Sequence, residues 1–299
     1  MSEQVLSVDP LWPRAGGWPP SWPDGADLTL IGIPTHATSL SATGAHATPA
    51  AVRDALRRYS TFVPGRDVEA LRFADAGDVA APDGPEGRER ARRAVAAAVA
   101  GSRLTVAVGG DNSLTVPVAL GAAGDGLADA GLITLDAHHD LRDGTSNGSP
   151  VRELLDAGLD GRRVVQIGIA DFANSAAYAH RAAEHGITVV TRDELHTRPI
   201  DDVMAEALEI AGAGGGPVHV DLDVDVCDRS VAPACPASVP GGLAAWELRR
   251  FARLAAASPR VRSIDIAEVD ATADTPDQRT IRLAALLILD SAAGLTARP

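Results

Sequence analysis

Cysteine is scarce in this sequence: among 299 residues only Cys227 and Cys235 carry a thiol, and they form no CxxC pair. That excludes a disulfide framework and a thiolate zinc knuckle, and it fits a reducing compartment, so a cytoplasmic protein is expected. Basic charge is in short supply too. Lys and Arg number 27 against 40 Asp and Glu, a formal net charge of −13. Nucleic-acid binding is driven by cations that neutralise phosphates and release counterions, so no nucleic-acid partner is expected. No apolar stretch reaches the length of a membrane span, and "MSEQVLSVDPLWPRAGGWPPSWPDGAD" lacks the apolar core of a leader. A soluble, unprocessed chain with no membrane partner is expected. Internal repeats and low-complexity linkers are also missing, so a division into two domains has no support.

What is present is apolar content of 45%, enough to bury a large α/β core. Residues 1–26 hold three of the four tryptophans among many Pro and Gly, and read as an irregular arm laid over the surface of one domain at 27–299. Within that domain, short aliphatic runs recur at 27–33, 104–108, 131–135, 163–169, 187–191, 218–224 and 261–267, the pattern of buried strands. Ala- and Arg-rich stretches of helical length separate them, among them 87–100, 176–186 and 246–257. One helix, in "ATPAAVRDALRRY", is expected to start with Thr48 as its N-cap and Pro49 at its first position. Alternating strand and helix predict a three-layer α/β/α fold around a central, mostly parallel sheet.

In such a sheet, ligands gather beyond the carboxyl ends of the strands. Acids and imidazole collect at those positions here. Asp136, His138 and Asp140 follow "GLITL", Asp223 and Asp225 follow "VHV", "GGDNS" at 109–113 follows "LTVAV", and Glu268 follows "SIDIA". Alternate residues of extended chain share a face, so Asp136, His138 and Asp140 point one way and Asp223 and Asp225 repeat the device. A lone DxHxD is commonly a set of loop caps and surface ion pairs; a second DxD and a polar Gly-rich turn at matching strand ends weigh against that here. Carboxylates cannot sit together in a low-dielectric core without protons or a cation. An oxygen-rich set with a minority of imidazole suits manganese better than zinc, and four carboxylates suffice to bridge two ions that hold and ionise a water molecule.

The segments "GGDNS", "DAHHD", "DVDVCDRSVAPA" and "SIDIAEVD", with "GIPTHATSLSATGAHATPAAVR" at 32–53, resemble the signature segments of the arginase/agmatinase family of ureohydrolases, in order and at suitable spacing. The resemblance implies an arginase-like catalytic domain with two Mn2+ per subunit. It assigns Asp136 and Asp223 as bridges, His138 and Asp225 to the second ion and Asp140 to the first. Aligning back from "VAPA" selects Asp223 and Asp225, placing Asp221 where the family has a small hydroxyl residue and leaving Asp228 structural; a register using Asp221 and Asp223 stays open. Asn112 stands where the family's first motif carries a histidine ligand, so the ion it serves is expected to bind more weakly. Gly109 and Gly110 would let the backbone approach the metals, His139 would pack behind the ligands, and both cysteines would be buried.

The loop "TSNGSPVREL" has Asn147 near the place where arginases carry a proton-shuttling histidine, so no shuttle of that type is expected. "SNGSPVREL", "CDRSVAPACPASVPGG" and "DQRTIRLAA" resemble the formimidoylglutamase branch most. That branch implies hydrolysis of N-formimidoyl-L-glutamate to glutamate and formamide, as in histidine degradation, with a metal-bridging hydroxide as nucleophile. Glu268 and Asp140 would be catalytic, Glu268 by orienting the amidinium nitrogen. Arg152, Asn147 and Ser149 would bind substrate, Arg152 by a forked contact to a carboxylate, with Arg279 and Arg282 as alternates. An agmatinase or guanidino-acid hydrolase releasing urea, or a non-catalytic metal-binding relative, remain alternatives. The family commonly forms homo-oligomers.

Overall fold

Each aliphatic run becomes a strand in the structure, a computed structural model that describes residues 7–298. The strands are β1 (Ala26–Ile33), β2 (Phe73–Asp78), β3 (Ser102–Gly109), β4 (Gly131–Leu135), β5 (Val164–Ile169), β6 (Thr188–Thr191), β7 (Val218–Asp223) and β8 (Val261–Ala267). They form one sheet in the order β2-β1-β3-β8-β7-β4-β5-β6, and every pairing is parallel. The middle strands β4 and β7 are buried at every residue; β4 accordingly reads as a continuous apolar run, whereas β7 alternates aliphatic residues with the buried His219, Asp221 and Asp223.

The helices are α1 (Thr48–Leu56), α2 (Gly84–Ala100), α3 (Thr115–Ala123), α4 (Pro150–Asp156), α5 (Ala176–Glu184), α6 (Arg192–Leu195), α7 (Ile200–Ala211), α8 (Ala245–Ala257) and α9 (Arg279–Leu295). One face of the sheet is covered by α1, α9, α8 and α7 in that spatial order, the other by α2, α3 and α4 with α5 beyond. On α8 the core-facing stripe is Leu248, Phe251, Ala252, Ala255 and Ala256, at helical spacing. Truncating the fully buried Phe251 to Ala would cost about 3–5 kcal/mol.

Two local expectations are corrected. Thr48 is not an N-cap: a short 3-10 turn at Ala45–Ala47 runs into α1, Ala47 occupies the cap position, and the Thr48 hydroxyl donates to the carbonyl of Val269. The helix start is thereby tied to the chain leaving β8. The strand β2 was not legible either, because "FADAGD" has neither a β-branched run nor a clean alternation. It is an edge strand, held in parallel register beside β1, and residues preceding β1 cover it. Trp18 stacks on Phe73 with ring centroids 4.5 Å apart, Trp22 Nε1 donates to the Phe73 carbonyl at 2.7 Å, and Asp75 N donates to the Pro19 carbonyl at 2.8 Å. An edge that would otherwise offer unpaired amides is blunted this way.

Candidate metal centre

The strands β3, β8, β7 and β4 are neighbours at the middle of the sheet, so the residues just past their carboxyl ends converge although they are far apart in sequence. The Nδ1 of His138 lies 2.7 Å from Asp225 Oδ2 and 3.4 Å from Asp136 Oδ1. Asp136, His138 and Asp225 each bring a ligand atom to within 4.8 Å of the others, and so do Asp223, Asp225 and Cys235. Asp136, Asp223 and Asp225 are 1–2% exposed and Asp140 is 7% exposed. Among the described residues Asp136 Oδ2 has no hydrogen-bond partner. An orphaned buried carboxylate oxygen inside a nest of acids is the arrangement that a divalent cation satisfies, and these residues fit one.

Electrostatics tell the same story. Burial first, and then the neighbouring Asp225, push Asp136 up to about 6. Burial and surrounding carboxylates push Asp140 and Asp223 well above the usual range. Glu268 is raised to about 8 by burial, against two hydrogen bonds that favour its charged form. For His138, burial would lower the pKa, but Asp225 and Asp136 overcome it and hold the ring protonated up to about 12; Asp225 is lowered in return, burial being outweighed by His138. The imidazolium thus stands where an inorganic cation would release it. Two non-glycine residues of the site, Asp140 (φ 52) and Glu268 (φ 60), adopt left-handed backbone, a strain that accumulates where function demands it.

Asn112 joins the group, with its amide turned in a defined way. Its Nδ2 donates to Asp140 Oδ2 at 2.7 Å, its Oδ1 accepts from Thr115 Oγ1 at 2.7 Å, and its backbone N–H donates to Glu268 Oε1 at 2.8 Å. Asn147 Nδ2 reaches the same Glu268 Oε1 at 2.8 Å. No ion pair holds Glu268 among the described residues, so its oxygens answer only to these N–H donors. A cavity of about 340 Å³ opens above the acids, lined by His138, Asp140, Asp223, Asp225, Glu268 and Asn147 at its floor and by Leu40, Arg142, Phe172, Ser175 and Tyr178 further out.

Other expected residues stand elsewhere. Arg152 does not line the cavity: its guanidinium is spent on the carbonyls of Arg142 and Gly144 and on Asp156. Ser149 is fully buried before α4, its hydroxyl 2.9 Å from that of Ser146. Arg279 bonds Asp277 and the Ser230 carbonyl, and Arg282 also lies outside the cavity. The glycines of "GGDNS" answer to the protein rather than to a metal, since a Cβ on Gly110 would fall 1.8 Å from the Thr35 carbonyl oxygen and one on Gly109 would meet Leu114 at 2.3 Å. His139 packs behind the site, its Nδ1 2.7 Å from Gln166 Oε1. Asp221 sits one step back along β7 beside Asp265, while Asp228 closes a turn through Ser230 and Gly241. Both cysteines are buried as expected, but the approach of Cys235 to Asp223 and Asp225 carried no sequence signal.

A family model described as the arginase family matches residues 26–293. The chain is similar to formimidoylglutamase of Bacillus subtilis, 32% identical over 290 residues that cover 92% of this chain and 90% of that one. It is likewise similar to formimidoylglutamase of Halobacterium salinarum, 35% identical over 285 residues, covering 92% and 90%. Its fold superposes on the crystal structure of the Bacillus subtilis enzyme with a TM-score of 0.90 at 30% identity, covering 100% of this chain and 97% of that one. It also superposes on Trypanosoma cruzi formiminoglutamase, solved with two Mn2+ ions, with a TM-score of 0.84 at 27% identity, covering 92% and 95%. With the match running from the first strand almost to the end of the last helix, the chain belongs to the arginase family.

Proposed function

We propose that the protein hydrolyses N-formimidoyl-L-glutamate to L-glutamate and formamide. The observation that carries this reading is Glu268, a buried carboxylate fixed at Oε1 by Asn112 N–H and Asn147 Nδ2 and lining the same cavity as the clustered acids. Both bonds fall on one oxygen; Oε2 accepts none among the described residues and is free to receive an N–H of an amidinium. The similarity to formimidoylglutamases supports the choice of amidine.

Asp136, Asp223, Asp225, His138 and Asp140 would hold two Mn2+, with Asn112 next to the less firmly held ion. When bound, such a pair supplies Lewis acidity and a polarised water for attack on the formimidoyl carbon. The chain's own residues do the rest. Glu268 orients the amidinium, and Asn147 keeps Glu268 in place. Water adds to the formimidoyl carbon, the bond from that carbon to the glutamate nitrogen breaks, and that nitrogen leaves with a proton. Asp140, whose Oδ2 is fixed by Asn112, is assigned to take the proton that the water gives up on adding and to pass it to that nitrogen. The same reading takes residues 27–299 as the catalytic domain behind an arm at 1–26, and a cytoplasmic homo-oligomer as the working form; residues 1–6 and 299 lie outside those described.

The test is a product assay on manganese-loaded protein with formimino and guanidino compounds side by side. Formamide and glutamate in equal amounts from N-formimidoyl-L-glutamate are expected. Urea from a guanidino compound, with no formamide, would overturn the reading.

A further inference from the structure

Resting on the substrate class proposed above, we infer that Arg142 is the residue that recognises the side-chain carboxylate of the substrate, and that Arg152 acts as its positioning residue. A glutamyl substrate brings two carboxylates into a cavity whose floor is almost entirely acidic, so a cation must meet the far end. Arg142 is the only arginine among the cavity's lining residues, and no lysine lines it. It stands exposed, outside the buried acids, and its guanidinium makes no ion pair or hydrogen bond among the described residues. A planar fork of donors, unspent and at the rim of a pocket, matches a carboxylate that the floor would repel.

The loop is built to aim this side chain. The Arg142 N–H donates to the Gly148 carbonyl at 3.0 Å, closing residues 142–148 into a ring. A Cβ on Gly148 would come within 2.7 Å of Arg142 Cδ and 3.1 Å of its Nε, so the missing side chain at 148 is the space through which Arg142 runs. Arg152 staples the same loop from beneath: its Nε donates to the Arg142 carbonyl at 2.7 Å, its Nη2 donates to the Gly144 carbonyl, and its own N–H donates to the Asp140 carbonyl at 3.2 Å. One arginine therefore holds the backbone from which the other projects.

The experiment uses full-length, manganese-loaded protein and two substrates, N-formimidoyl-L-glutamate and its side-chain amide, N-formimidoyl-L-glutamine. The unaltered protein is expected to prefer the acid. Arg142→Gln should lower kcat/KM for the acid roughly tenfold to a hundredfold, mostly through KM, and should collapse the preference over the amide. Arg142→Lys should recover part of it, because a point charge keeps the attraction and loses the fork. Gly148→Ala, which keeps both arginines but displaces the Arg142 stem, should show a fraction of the same loss. Arg152→Gln should also reduce the preference, yet add nothing in an Arg142→Gln background, which is the coupling expected of a residue acting through another. If the unaltered protein cleaves the acid and Arg142→Gln keeps the preference within about threefold, the assignment of Arg142 is overturned while the reaction stands. If Arg152→Gln and Arg142→Gln are simply additive, the positioning role is overturned. An unaltered protein that cleaves neither formimino compound overturns both the reaction and this inference.

Discussion

Removing the metal should make the fold depend on pH in a direction opposite to that of ordinary acid denaturation. Without cations, the clustered acids must be accommodated by protons. Glu268, raised from 4.5 to about 8 by burial, keeps a proton in the folded chain at pH values where the unfolded chain has lost it, and Asp136, Asp140 and Asp223 are displaced in the same sense. For such groups stability is greatest below the unfolded pKa and falls as pH rises toward the folded one. His138, held protonated from 6.5 up to about 12 by Asp225 and Asp136 against its burial, adds to the decline above neutrality. Asp225, lowered, loses its contribution only below the ordinary carboxylate range and so leaves this window unaffected. One proton retained from pH 6 to pH 8 amounts to about 3 kcal/mol. For a chain of this size that is on the order of 5–10 °C in Tm. The measurement is thermal unfolding of chelated protein at pH 6, 7 and 8, with and without added Mn2+. The chelated protein should melt lower at each step upward in pH, and the gain from Mn2+ should grow as metal replaces protons. A melting temperature that is flat or rises between pH 6 and 8 in the chelated protein would refute the reasoning.

Other substitutions probe the surrounding structure. Asn112→His places an imidazole beside Asp140 and should tighten the looser Mn2+ by roughly tenfold or more in calorimetric titration; unchanged affinity would put position 112 outside the metal's reach. Asn147→Ala removes a hydrogen bond that fixes Glu268 Oε1 and favours its charged form, and should lower kcat by roughly tenfold to a hundredfold with metal content intact by elemental analysis. Gly110→Ala forces a Cβ to within 1.8 Å of the Thr35 carbonyl oxygen, a clash of backbone with no flexible partner, and should cost more than about 3 kcal/mol in urea unfolding.

The place of the site was legible. Asp136, His138 and Asp140 follow β4, and Asp223 and Asp225 stand at the end of β7, at strand ends that the aliphatic runs mark; their convergence was not given by extended alternation, because it passes through left-handed backbone at Asp140 and a 3-10 turn at Val224–Val226. The loop between β4 and α4 was not legible in the same way. Arg142 and Arg152 are both near the acids in sequence, and no spacing says which guanidinium is consumed by backbone carbonyls. One signal was available: Asp156 lies four residues after Arg152, the separation of an ion pair along a helix, which already spends that charge. The strand β2 was missed because an edge strand with Ala, Asp and Gly draws its stability from neighbours, namely β1 and the tryptophans before it, and those are tertiary facts. Thr48 failed as a cap for a similar reason, since its hydroxyl found a carbonyl 221 residues away in place of the local amide.

The strand order also bears on how the chain is made. The first three strands form one side of the sheet and β4 to β7 the other, and β8 alone joins them, pairing with β3 on one edge and β7 on its other edge. During synthesis, therefore, each half can gather its own helices, but the seam stays open until the last strand emerges, and β3 and β7 keep bare edges meanwhile. Closing that seam fixes contacts of very long sequence separation, such as Asn112 to Glu268 across 156 residues, and non-local closures of that kind are intrinsically slow. A chain stopped before residue 261 would lack the seam, and with it Glu268, so an unfinished polypeptide could hold some of the acids without ever becoming a hydrolase.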